Sequence, residues 1–163
     1  MVDIMVQFTH LDENNKSRMV DVTQKERTLR EAIAVGKVSM KGETLEAIEA
    51  NNVAKGDVFG VAKIAGIMAA KKTSDIIPMC HPLELTGVDM TFSTDKRVGE
   101  VTIKAAVRNV GRTGVEMEAM TAVSAAALAI YDMCKSADRE MVLTDIKLLK
   151  KSGGRSGLFE RKE

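Results

Sequence analysis

Tryptophan is absent from this chain, tyrosine occurs once and phenylalanine four times in 163 residues. With so few rings, single-stranded nucleic acid would find no stacking platform. A surplus of charge is missing too: 24 Lys and Arg stand against 23 Asp and Glu, for a formal net charge of +1. Phosphate-backbone binding leans on a large basic surplus, so no nucleic-acid partner is expected and any bound anion must meet a local basic cluster. Two cysteines, Cys80 and Cys134, are too few for a disulfide framework. The opening MVDIMVQFTHLDENN has neither a basic start nor a long apolar run, so no signal peptide is expected. The most apolar helical stretch, 119–130, is short for a bilayer span and contains Thr121 and Ser124, so no membrane partner is expected either. These absences point to a reducing cytoplasm.

What is present is the mix of an ordinary globular domain, 45% hydrophobic and 29% charged. The length suffices for one domain with its own core, expected over 1–163 with 1–18 and 152–163 flexible. Without aromatics, that core must be filled by Ala, Val, Ile, Leu and eleven Met.

Periodicity sets the order of elements. Met19–Val22 and Thr28–Met40 read as extended, with Gly36 marking a bulge or bend in the second. Residues 43–51 predict a short amphipathic helix. Val58, Val61, Ala65, Met68 and Ala69 follow helical spacing over about 57–72. Val88, Met90 and Phe92 share one face, as do Val101, Ile103, Ala105 and Val107, and the polar turn 95–97 joins the two runs into a hairpin. The longest helix is expected over about 115–135 and a last strand over 141–149. Strand, two helices, hairpin, helix, strand is the order of a split βαβ arrangement, an antiparallel sheet with helices on one face.

Several segments could carry chemistry, each with a plain structural reading beside it. Asn109-Val-Gly-Arg-Thr-Gly114 places glycines around a basic residue at a helix start, which suits an anion. Thr113 and Glu116 also have the spacing of a capping box, which would account for Glu116 without function. Glu118 suits the helix dipole in the first turn. Asp132 and Lys135 could be a surface i,i+3 pair. Lys55 precedes Asp57, a candidate helix cap. Pro78 and Pro82 hold Met79-Cys80-His81 in a rigid loop, and histidine carries protons near neutral pH. No metal site is expected, since Cys80 and His81 are adjacent and nothing matches ligand-pair spacing. The segment 150–157 (KKSGGRSG) could clamp phosphates or be a plain tail, and it lacks the spacing of a P-loop.

Taken together, RMVDV, ETLEAI, KGDVFGVAKIAGIMAAK, IPMCHPL, GRTGVEMEAMTAVSAAALAIYDMCK and LLKKSGGRSG closely resemble the MoaC family, from about Met19 to Gly157. The resemblance implies an α+β, ferredoxin-like protomer in a homohexamer, a trimer of dimers with sites at subunit interfaces. It implies a lyase of molybdenum-cofactor biosynthesis acting after the radical GTP cyclase of that pathway. The substrate would be the 3′,8-cyclised dihydro-GTP intermediate, and the products cyclic pyranopterin monophosphate and diphosphate. Carried over by motif, Met79, Cys80 and His81 would form one wall of the substrate pocket and Met117 with Glu118 another. Asp132 would be the acid/base, with Lys55, Glu116 and Lys135 as helpers. Arg30 and Lys151 would meet the triphosphate, and Lys25 rests on a looser motif. No cofactor is required, although Mg²⁺ could accompany the phosphates.

Two other readings remain open to the residues. A small-molecule-binding regulatory domain could use the same fold, and a non-catalytic nucleic-acid adaptor is a third class. A sensor needs polar contacts but no set of proton carriers, whereas His81, Glu116, Glu118 and Asp132 stand in otherwise apolar segments.

Overall fold

Four alternate residues, Val101, Ile103, Ala105 and Val107, have no exposed surface at all, as the period-two pattern requires of a strand with one covered face. They lie in β3 (Glu100–Gly111), which forms the hairpin with β2 (Leu85–Asp95). The computed structural model describes residue 14 and residues 16–162, so most of the first segment expected to be flexible lies outside the described residues. The remaining elements are β1 (Thr28–Ser39), α1 (Gly42–Glu49), α2 (Val58–Lys71), α3 (Thr73–Ile76), α4 (Glu116–Cys134), β4 (Val142–Ser152) and β5 (Phe159–Glu160). The strands form one sheet in the order β2-β3-β1-β4-β5, antiparallel at every pairing. α4 rests on β1, β3 and β4, and α2 rests on β2 and α4, so the long helices cover one face. This is the α+β, ferredoxin-like arrangement expected from the order of elements.

The bend expected at Gly36 has a packing cause. The β1–β3 register runs unbroken through Gly36, whereas the β1–β4 register slips between Ile33 and Ala34 and again between Val35 and Lys37. A Cβ on Gly36 would lie 2.5 Å from Val123 Cγ1 and 3.1 Å from Ile146 Cγ1. The missing side chain lets α4 settle onto the middle of the sheet. Small residues do the same on the helix: Ala119, Ala122, Ala126 and Ala127 are fully buried there, which is how a core without tryptophan closes. α4 is, by length and composition alone, apolar enough to cross a membrane. The apolar stretch of 119–130 lies inside it, and its buried side gives it the place of a core helix.

Three local features depart from the sequence reading. Met19–Val22 forms no strand; its Val20 carbonyl meets the His81 ring instead of a ladder partner. The short helix α3 was not anticipated, and Thr73 stitches it to the end of α2 by donating to the Ala70 carbonyl at 3.0 Å. The glycine-rich tail turns back on itself, and β5 pairs with Lys150 and Lys151 of β4. Asp57 caps α2 as expected, accepting from the Gly60 amide at 2.9 Å.

Candidate functional site

The start of α4 meets the proline-bracketed loop in a pocket of about 300 Å³ lined by Met79, Cys80, His81, Glu116, Met117 and Glu118, with Lys25 at its side. The sequence spreads these residues over nearly a hundred positions, and the fold brings them to one spot. His81 Nε2 lies 2.8 Å from the Val20 carbonyl oxygen. A carbonyl can only accept, so Nε2 donates and Nδ1 is the remaining ring nitrogen. Glu118 is only 4% exposed. Burial pushes its carboxyl up from 4.5 to about 7, with a smaller push from the Glu116 charge. Burial also raises the Cys80 thiol, and the nearby Glu118 adds to it. The pocket therefore holds a carboxyl poised to give or take a proton near neutral pH.

The capping box considered for Thr113 and Glu116 does not form. Val115 occupies the position before α4 without any side-chain cap. The Glu116 carboxylate folds back over the loop instead, where a Cβ on Gly114 would lie 2.7 Å from its Cδ.

A second pocket of about 740 Å³ opens beside the first and shares Lys25, Thr113, Gly114 and Glu116 with it. Five basic side chains line it: Lys25, Arg30, Arg112, Lys151 and Arg155. With Glu26, Glu31 and Glu116 also in the lining, the pocket of this nearly neutral chain keeps a local excess of cations, as anion binding requires. The Lys151 ammonium donates to the Ser156 hydroxyl, so the tail turn forms part of the wall. Sequence reasoning noted Arg112 and Arg155 only inside glycine-rich segments and assigned neither to the site. The signal was there, in two basic residues each flanked by glycines within a few positions.

Asp132, Lys55 and Lys135 come together elsewhere, at the far end of α4. The Lys55 ammonium donates to both the Asp132 backbone carbonyl and its Oδ2 at 2.8 Å. Lys135 Nζ lies 2.6 Å from Oδ1. The hydrogen bond from Lys135, followed by that from Lys55, pulls the Asp132 carboxyl down to about 2. It is an anion clamped between two ammonium groups and a poor proton acceptor while both lysines stay in place. The surface pair read from the sequence is present, and Lys55 completes it from the loop before α2.

Glu118 and Asp132 lie on one unbroken helix, Glu116–Cys134. Fourteen residues at 1.5 Å each separate their backbones by roughly 21 Å along the axis. The chain therefore carries two separate groups of polar side chains: the pockets with Glu118, His81 and the cations at one end of α4, and the Lys-Asp-Lys cluster at the other. Among the described residues no group of three or more His, Cys, Asp or Glu side chains is placed to hold a metal ion.

Comparison with known proteins identifies the family. The family model described as the MoaC family matches residues 19–154. A protein of Pelotomaculum thermopropionicum named cyclic pyranopterin monophosphate synthase is 62% identical over 155 residues, covering 95% of this chain and 91% of its own length. Proteins of the same name from Thermoanaerobacter sp. and Clostridium acetobutylicum are 58% and 57% identical over 154 residues. Both alignments cover 94% of this chain, and 98% and 96% of those proteins respectively. The matched span holds both pockets' walls up to the first turn of the tail and the whole Lys-Asp-Lys cluster, and the chain belongs to the MoaC family.

Proposed function

We propose that this protein is a cyclic pyranopterin monophosphate synthase of molybdenum-cofactor biosynthesis, a lyase that converts the 3′,8-cyclised dihydro-GTP intermediate and releases diphosphate. The observation that carries the proposal is the continuity of the two pockets: five cations surround the larger one, and Glu118 and His81 stand in the smaller one. A nucleoside triphosphate derivative has that same polarity, a charged tail on a heterocycle that must exchange protons. The regulatory-domain reading leaves unexplained a buried carboxyl raised to about 7 beside a histidine.

The base lies against Met79, Cys80, His81, Met117 and Glu118, where Glu118 and His81 move protons as the purine ring opens and the pyranopterin closes. Glu116 stands between the pockets. The phosphates lie among Lys25, Arg112, Lys151 and Arg155, whose charges stabilise the developing diphosphate as a substrate hydroxyl attacks the α-phosphorus and breaks its bond to the bridging oxygen. A Mg²⁺ ion, where one takes part, arrives with the phosphates as part of the substrate. No other cofactor enters the scheme.

Asp132, Lys55 and Lys135 complete the site from a second protomer. Within a chain they stand roughly 21 Å from Glu118, too far for one reacting centre. The assembly is a homohexamer, a trimer of dimers, in which each two-fold interface brings the start of one α4 to the end of another. Ile64 and Met68 of α2 and Leu128 of α4 are large apolar side chains left more than half exposed, as expected of a surface with a protein partner. When substrate oxygens draw one lysine away, Asp132 becomes more basic and can accept a proton. The protein works in the cytoplasm, downstream of the radical GTP cyclase that makes its substrate.

The test is incubation of the purified protein with the cyclised intermediate, followed by chromatography and a diphosphate assay. Appearance of cyclic pyranopterin monophosphate with one diphosphate per turnover is the expected result. Tight binding without turnover would replace the enzyme with a sensor.

A further inference from the structure

Arg30 stands apart from the other cations of the large pocket. It is 8% exposed, yet among the described residues it forms no ion pair with a carboxylate. Its guanidinium turns to backbone. Nε donates to the Gly111 carbonyl at 3.2 Å and Nη2 to the Arg112 carbonyl at 3.4 Å, so one planar fork spans two successive peptides of the loop before α4. The other side of the fork faces the tail turn. Gly154 has φ +72°, and a Cβ there would collide with Arg30 Nη1. A Cβ on Gly153, at φ +92°, would come 3.1 Å from Arg30 Cδ. The guanidinium is thus held between two loops from distant parts of the sequence. One loop carries Arg112, and the other carries Arg155 and Ser156, all lining the pocket.

We infer that Arg30 is a positioning residue of this pocket. It fixes the 111–114 loop and seats the 152–157 turn, thereby setting the spacing of Arg112 and Arg155, with Nε and Nη2 donating to the loop's carbonyls. Gly154 is the matching half of the device, because only a residue without Cβ leaves room for the fork. This differs from direct contact with the ligand, the role the family resemblance implies. It rests on the phosphate reading of the pocket for its functional consequence, though not for the bracing itself.

The two roles separate on chemistry. A lysine keeps the charge but has one compact ammonium in place of five donors in a fixed plane. If Arg30 braces the loops, Arg30→Lys and Arg30→Met should weaken binding of inorganic triphosphate to a similar degree. Each loss should be at least about tenfold, the size of losing a hydrogen bond from a charged donor. The salt dependence of the residual binding to Arg30→Lys should match wild type, because that variant keeps the charge. Hydrogen exchange of the unliganded variants should quicken in both 111–114 and 152–157 while the core of α4, 119–130, stays protected. Gly154→Ala should reproduce the defect with Arg30 intact, and should cost less in an Arg30→Met background, where the atom it strikes is gone.

Near-wild-type affinity in Arg30→Lys, or unchanged exchange in either loop, would overturn the inference. If Arg30→Met loses protection throughout α4, Arg30→Lys decides the matter, because an alanine at the φ +72° of Gly154 is strained whatever Arg30 does. Failure of wild type to bind triphosphate would reject the phosphate reading of the pocket and leave the exchange data to judge the brace.

Discussion

Replacing Glu118 with glutamine should make the protein more stable as the pH rises, and the effect can be sized. The carboxyl is buried and its pKa stands at about 7, against 4.5 for the ordinary group. A folded state that holds this proton more tightly than the unfolded state loses stability as pH rises, because the unfolded chain releases the proton first. The loss begins near 4.5, is complete a little above 7, and corresponds to at most about 3 kcal/mol. The actual figure is smaller, since the group borders a solvent-open pocket. Glu118→Gln keeps the shape and cannot ionise. Denaturant unfolding of both proteins at fixed concentration should show close to parallel behaviour below pH 4.5. Between pH 5 and 8 the variant should gain on wild type by about 1–3 kcal/mol. Any constant cost of the amide cancels, so the slope difference is the diagnostic quantity. Equal slopes from pH 5 to 8 would show that Glu118 ionises normally and would remove the reason for placing a neutral proton donor in the pocket. Turnover by the same variant should fall by about 10²–10⁴, the usual contribution of a positioned acid or base.

Asp132→Asn should leave the melting temperature almost unchanged, because its partners are exposed side chains, and should lose nearly all turnover; a folded variant with wild-type activity would exclude the catalytic role. Lys151→Ala should weaken binding of the triphosphate substrate but leave a dephosphorylated ligand unaffected, and raising salt should narrow the gap between variant and wild type. Gly36→Ala should cost about 1–3 kcal/mol by thermal unfolding, since its methyl group would stand 2.5 Å from Val123 Cγ1 and push α4 off the sheet.

Legibility in the sequence followed the range of the interaction involved. The alternation at Val101, Ile103, Ala105 and Val107 identified β3 without help, because a strand's pattern is local and these four positions on its covered face are all apolar. The long helix was equally plain, apart from its cap, where Glu116 turned to its own loop rather than closing a capping box. Met19–Val22 read as extended, but among the described residues it joins no strand of the sheet, and its Val20 carbonyl meets His81 instead. The family motifs named Lys55, Asp132 and Lys135 together. Only the fold reveals that Lys55 reaches 77 positions along the chain to clamp the carboxylate. Arg112 and Arg155 were hidden for a similar reason: each is an ordinary basic residue between glycines until Arg30 draws their loops to one pocket.

The proposed division of the site between the two ends of α4 can be tested by subunit mixing. Glu118→Ala and Asp132→Ala should each be inactive alone. Unfolded together and reassembled, half of the two-fold pairs should contain one chain of each kind. Such a pair has one site with both lesions and one with neither, so activity should return to about a quarter of wild type. A mixture that stays inactive, with subunit exchange verified by mass spectrometry, would show that one chain supplies both residues and would contradict the shared site.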